Sequence, residues 1–253
     1  MPHKIGEFLG LQNYVTVING YYFFEALRNT LFFTSISVPT IVLTALGISL
    51  LLNKKFRGVS FVITCLLLPW SLSSAATGML WRWLFMGNGL INKVLITLGI
   101  LKEPIYFLAS RDTQLLIFII AHLWHELPFA TVILYAALQL VPRELIEASH
   151  LDGANVFQRF RYVTYPFIKV MIVVVAIFEI MVSFTMYDIA YSLTGGVWGL
   201  LSYYCYAESF NWGNFGTGGA LAVIISLTFF IVMFIVLRLF PIRTIYKGTL
   251  LGE

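Results

Sequence analysis

The sequence predicts an all-α fold, a polytopic helical membrane protein with five transmembrane helices. Three observations carry this. Apolar residues make up 59% of the 253-residue chain and charged residues only 11%, against about a quarter charged in an ordinary soluble domain. A soluble core of this size could not hide so much apolar surface, whereas a bilayer can. Five apolar stretches, residues 31–52, 61–81, 115–140, 167–187 and 220–240, each reach the roughly 20 residues of helix that span a hydrocarbon core. Finally, Lys and Arg gather at alternate ends of those stretches.

Helices follow because a chain in lipid must satisfy every backbone amide within its own segment. None of the five stretches shows the alternation a lipid-facing barrel strand needs. Residues 1–28 read as an external amphipathic segment, mixing Phe8, Leu9, Leu11, Tyr14, Val15, Val17 and Ile18 with polar residues before an aromatic run at 21–24. They lack the basic start and continuous apolar run of a signal peptide. Residues 29–240 form one transmembrane domain, and 241–253 a cytoplasmic tail.

Orientation comes from the basic residues near the span ends. Lys54, Lys55, Arg57, Arg143, Arg159, Arg161, Lys169, Arg238, Arg243 and Lys247 share one side; Lys4, Arg28, Arg82, Lys93, Lys102 and Arg111 share the other. The richer side is expected inside, giving a cytoplasmic C-terminus and an external N-terminus. Cys65 and Cys205 then lie toward opposite faces, so no disulfide is expected.

Ionisable groups at membrane depth are costly, about 2.5–3.5 kcal/mol on insertion scales. Glu126 falls roughly 16 Å from the outer end of its span and Glu179 roughly 18 Å from the inner end of its own. With Trp124, and with Tyr187 and Asp188 near the outer mouth, they are the candidates for a path through the membrane; buried polar links between helices, or contacts to a second membrane subunit, fit them equally. Pro128 frees the carbonyl of Trp124, which would suit a helix broken beside a cavity. His122-Leu-Trp-His125-Glu126 is no zinc motif, because zinc peptidases place the glutamate between histidines at i and i+4. No metal and no cofactor are expected in this chain.

The most informative stretch is 142–166. Pro142 suits a helix start, Gly153 a left-handed stop, Asp152 the cap of a second helix near Ala154, and Pro166 the boundary before the next span. The result is a helix–Gly–helix elbow on the cytoplasmic face. Leu145, Ala148, Phe157 and Phe160 would offer apolar contacts, and Glu144, Glu147, Arg159 and Arg161 charge.

Glu147-Ala-Ser-x-x-Asp152-Gly153-Ala154, followed by Phe160 and Pro166, resembles the E-A-A loop of binding-protein-dependent ABC importer permeases. Around it, Gly10-Leu-Gln-Asn-Tyr14, Asn29-Thr30, Leu51-Leu-Asn53, Phe56-Arg-Gly58, Leu68-Pro-Trp70, Trp81-Arg-Trp83, Trp124, Pro128-Phe129, Leu138 with Pro142 and Thr194-Gly-Gly196 are similar to the carbohydrate-uptake branch. The resemblance runs from Gly10 to Leu239. Three departures stand out: Ser149 replaces the second alanine, Tyr165 the leucine before the proline, and Val197-Trp198 the Gly-Pro after Thr-Gly-Gly. The family also places a further helix ahead of the Gly-Leu-x-Asn-Tyr segment, so one is expected before Met1.

The resemblance implies the ABC importer permease fold in a bacterial or archaeal plasma membrane, and import of a sugar or sugar-like solute. It implies a second permease subunit (a copy or a relative), ATP-binding cassette ATPase subunits and an external solute-binding protein. In this scheme Glu147, Ala148, Ser149, Asp152, Gly153 and Ala154 dock in the ATPase, whose closure switches the helices between inward- and outward-facing. Glu147 is placed to pair with a basic residue there. No phosphate-cradling Gly-x-x-x-x-Gly-Lys-Ser/Thr loop occurs in the sequence, so ATP and magnesium are expected in the partner and no catalysis here. Another solute, such as glycerol phosphate met by Arg82, is the alternative within the class. An ion-coupled carrier using Glu126 and Glu179 is the alternative outside it, and a membrane-embedded enzyme the weakest. No nucleic-acid partner is implied.

Overall fold

The computed structural model describes residues 9–54, 56–195 and 199–240, which are all helical apart from turns and connecting segments. Lys4, Lys55, Phe8, Gly196, Val197-Trp198 and the tail 241–253 lie outside the described residues. A short surface helix, α1 (Gln12–Ile18), turns Leu11, Val15 and Ile18 outward. Helix α2 (Phe23–Leu52) follows. It starts eight residues before the apolar stretch at 31, because its polar first turns are held from outside the hydrocarbon. Glu25 there accepts a hydrogen bond from Arg111 at 2.7 Å, in a position that also suits the positive end of the helix dipole.

The expected span 61–81 is two helices, α3 (Val59–Ser71) and α4 (Ser74–Phe85). Between Val59–Ser71 and the chain from Ser74 to Thr97 the direction turns by 91°. Local chemistry explains the break. Pro69 removes an amide from the last turn of α3, and Leu72 and Ser73 are extended, with ψ of 151° and 146°. Ser73 Oγ then caps α4 by accepting the Ala76 N–H at 3.2 Å. Helix α5 (Leu90–Thr97) is followed by the long α6 (Arg111–Gln139), which runs unbroken through Pro128.

After the elbow helices α7 (Arg143–Leu151) and α8 (Val156–Arg159), a π-helical turn at Phe160–Thr164 leads into α9 (Tyr165–Thr185). Helices α10 (Asp188–Thr194) and α11 (Leu201–Tyr206), with a second π-helical turn at Ala207–Asn211, precede α12 (Phe215–Leu239). Among the described residues four helical stretches are long and apolar enough to cross a membrane, and five with the α3–α4 pair.

The core lies where α2, α6 and α9 meet, with α12 against them. Ile41 and Ala45, Ala130 and Leu134, Val175, Ile180 and Phe184, and Leu221 form its centre. Small residues at these contacts let helices approach closely, which matters in lipid because packing rather than the hydrophobic effect holds them together. Gln139 Nε2 donates to Asn53 Oδ1 at 2.7 Å, tying the C-terminal ends of α2 and α6 together. Their N-terminal ends meet through Glu25 and Arg111. These two helices are therefore parallel, and the elbow sits at the end marked by Asn53 and Gln139.

At the opposite end, the buried Thr30 hydroxyl accepts the Leu201 N–H at 2.9 Å and satisfies the first amide of α11. Thr30→Val should leave that amide buried without a partner and cost about 1–3 kcal/mol, seen as a lowered midpoint of thermal unfolding in detergent. Thr30→Ser, which keeps the acceptor, should unfold close to wild type.

Candidate functional site

The elbow is a built corner. Helix α7 ends with Asp152 as its C-cap and Gly153 in the left-handed region at φ +76°. A Cβ at Gly153 would meet nothing within 4 Å, so the requirement for glycine is conformational rather than steric. The second helix is capped by Asn155, not by Asp152. Asn155 Oδ1 accepts the Gln158 N–H at 2.9 Å and Gln158 Oε1 accepts the Asn155 N–H at 2.8 Å, a reciprocal capping box. The left-handed turn at Gly153 delays recovery of extended backbone until Asn155 (ψ 172°). Asp152 is by then on the wrong side of the corner.

Pro166 stands in the first turn of α9, as expected, but the chain does not break before it. Residues Val156–Thr185 run as one 30-residue helical stretch. The π-helical turn just before Pro166 shifts the hydrogen-bond register where proline lacks its amide.

Exposure sorts the elbow residues. Leu151, Val156 and Phe157 are 90%, 74% and 70% exposed, and Leu145, Glu144, Glu147, Ala148 and Asp152 also face outward. Phe160 points the other way: with Ile146, Val163 and Met171 it packs on Ala137, Leu138, Val141 and Ile168. It anchors the elbow and offers no docking contact. Ser149 is buried and donates to the Ile146 carbonyl at 2.7 Å, while Ala154 is half-buried. Arg159 Nη1 donates to His150 Nδ1 at 2.7 Å, bracing α7 against α8. Leu151 and Val156 are the apolar residues that sequence reasoning missed; their positions on either side of Gly153 were the available signal.

At mid-depth, α2, α6 and α9 share a buried polar layer. Glu126 and Glu179 are only 4% and 0% exposed in the isolated chain. Both lie inside this chain's own bundle, and neither lines an open surface. His125 Nδ1 stands 2.9 Å from Glu126 Oε1, and His125 Nε2 donates to the Leu72 carbonyl at 3.2 Å. His122 is wedged against Phe33 and Phe118. Both oxygens of Glu179, both ring nitrogens of His122 and the hydroxyls of Thr34, Ser37 and Ser183 are buried without a hydrogen-bond partner among the described residues. Among the described residues no three His, Cys, Asp or Glu are grouped to hold a metal ion.

The remaining path candidates stay partly open. Trp124 meets Trp81 edge-on with ring centroids 6.1 Å apart. Tyr187 stacks on Tyr206 at 4.8 Å, and Tyr191 packs on Tyr203 and Tyr206, forming an aromatic group beside Asp188. Arg82 is exposed on α4 and approaches Gly195, the cap of α10. Cys65 and Cys205 are free thiols, on α3 and α11.

Residues 23–245 match the family described as binding-protein-dependent transport system inner membrane component. The chain is 31% identical over 234 residues to the trehalose/maltose transport system permease protein MalF of Thermococcus litoralis, covering 92% of this chain and 78% of that protein. It is 33% identical over 223 residues to the sulfoquinovosyl glycerol transport system permease protein SmoG of Agrobacterium fabrum, covering 86% and 72%. Among solved structures, a bacterial ABC transporter involved in the import of the acidic polysaccharide alginate superposes with a TM-score of 0.75 at 21% identity, over 93% of this chain and 84% of that one. The last likeness is one of fold. With the elbow, the multi-pass helical bundle and a family match over most of its length, the chain belongs to the binding-protein-dependent transport system inner membrane components, the permease subunits of ABC importers.

Proposed function

We propose that this permease carries a sugar or sugar-like solute of the oligosaccharide class into the cell. Its elbow at 143–164 is the element through which ATPase partners drive it. The observation that carries the reading is the exposed trio Leu151, Val156 and Phe157 flanking a rigid glycine corner. Short helices that present an apolar face are how a groove in a partner is filled. Sugar transport is supported by the relatives, whose named cargoes include trehalose, maltose and sulfoquinovosyl glycerol.

In this scheme the elbow end and the C-terminus are cytoplasmic, and a second permease completes the pore. ATP and magnesium are held by the partner subunits, and the chain itself catalyses nothing. The external binding protein delivers solute to the opposite end, where Tyr187, Asp188, Tyr191 and Tyr206 stand. The solute passes Trp124, while Glu126 and Glu179 support the path from inside the bundle. Closure of the ATPase dimer moves the elbow as one body, because Phe160 ties it to the ends of α6 and α9.

Two outcomes check this. In affinity purification from native membranes, Phe157→Ala should weaken ATPase recovery by about 2 kcal/mol or more, the scale of an interface anchor. Gly153→Ala should place about 1–2 kcal/mol of strain in the corner and act in the same direction. Glu147→Ala reports its own environment: a loss of about 2–5 kcal/mol means a buried pair, and about 0–1 kcal/mol a solvated one. Unchanged ATPase recovery in all three variants would exclude the coupling role. Separately, Tyr206→Ala should raise the solute concentration needed for half-maximal uptake roughly two- to thirteenfold, the equivalent of about 0.5–1.5 kcal/mol of lost stacking. Radiolabelled trehalose and maltose uptake would measure it.

A further inference from the structure

The corner between α3 and α4 is held by very few groups. Helix α3 buries none of its residues, so its own packing fixes its outer end weakly. Helix α4, by contrast, is pressed onto α10: a Cβ at Gly78 would come within 2.6 Å of the Ile189 carbonyl oxygen, and Thr77 is fully buried. The corner thus joins a lightly packed helix to a tightly seated one.

Two contacts fasten it to α6, and they come from residues one helical turn apart. Trp70 stacks on Phe129, with centroids 5.2 Å apart and planes 17° from parallel. His125 Nε2 donates to the Leu72 carbonyl, one of the acceptors that the end of α3 leaves without a helical donor. Leu72 oxygen can only accept, so Nε2 must carry a proton. Nδ1 faces Glu126 Oε1, and one further proton lies between them, on the ring or on the carboxyl. Either way the histidine–glutamate pair is neutral overall, and the ring is held in the one orientation that meets Leu72.

We propose that His125, oriented by Glu126, is a positioning residue for transport. It pins the Leu72 corner to α6, so that α3 pivots about that point while α4 and α10 stay seated. The role is distinct from solute contact and rests on no assumption about which solute is carried.

The test uses the importer complex purified from its native membrane, with Cys65→Ser and Cys205→Ser as background. Spin labels at Leu68→Cys on α3 and Leu140→Cys beyond α6 report the distance between the two helices by pulsed electron spin resonance. His125→Leu should broaden that distribution, whereas His125→Gln, which retains a donor for Leu72, should restore most of it. Glu126→Gln should give an intermediate width. In the same complex, His125→Leu should lower trehalose uptake relative to ATP hydrolysis by roughly five- to a hundred-and-fiftyfold, the scale of leaving a carbonyl acceptor without its donor. An unchanged distance distribution in His125→Leu overturns the proposal, as does equal broadening in the leucine and glutamine variants. If His125→Leu fails to accumulate, the order wild type, His125→Gln, Glu126→Gln decides by the same criterion. The distance measurement needs no ATPase and no solute, so failure of the coupling or sugar reading would show separately, as absence of the partner or of uptake.

Discussion

Lipid offers no hydrogen bonds, so any backbone group released by a broken helix must find its partner within the protein. Much of this architecture follows from that constraint. The chain breaks its helices at several points near the membrane, and side chains distant in sequence serve the breaks. Thr30 on α2 accepts the first amide of α11, and His125 on α6 meets the Leu72 carbonyl at the end of α3. At the elbow, where solvent is near, the cap is local: Asn155 and Gln158 satisfy each other's amides. Long-range partners supplement local caps such as Ser73 at the breaks within the bundle, and neighbours suffice at the elbow.

The same division separates rigid from adaptable parts. The elbow combines a conformationally constrained corner, an Arg159–His150 brace and a Phe160 anchor in the inner cluster. Its buried side joins α6 and α9 through Ile146, Phe160 and Val163. The outward trio Leu151, Val156 and Phe157 makes no contribution to this chain's core. Its apolar area is available for a partner, and burying it there would be favourable. Helices α3 and α12 are different in kind. They bury little of themselves, and their outward faces suit lipid or a second permease.

The buried layer of α2, α6 and α9 gathers two carboxyls, two imidazoles and several hydroxyls at one depth. Among the described residues, Glu126 and His125 have hydrogen-bond partners, while His122, Glu179, Thr34, Ser37 and Ser183 have none. A buried polar group without a partner costs free energy comparable to a hydrogen bond. The layer is therefore the least comfortable part of an otherwise well-packed bundle.

Composition, apolar stretches and the placement of Lys and Arg determined a helical membrane bundle with an elbow, since these follow from the chain's local chemistry and the thickness of a bilayer. The glycine corner was legible for the same reason: only a left-handed residue turns a helix so tightly. What tertiary structure alone decided was which side chain answers which need. Asp152 and Asn155 are both competent caps, and the length of the left-handed turn chose between them. Phe157 and Phe160 are the same residue type three positions apart, and the inner cluster claimed one and left the other outside. Residues 61–81 are apolar enough for one span, yet Pro69 and the Ser73 cap break them at Leu72, and His125, 53 positions away in sequence, supplies a donor to the carbonyl that the break releases. That pairing depends on how α3 and α6 lie against each other, and no local pattern of residues encodes it.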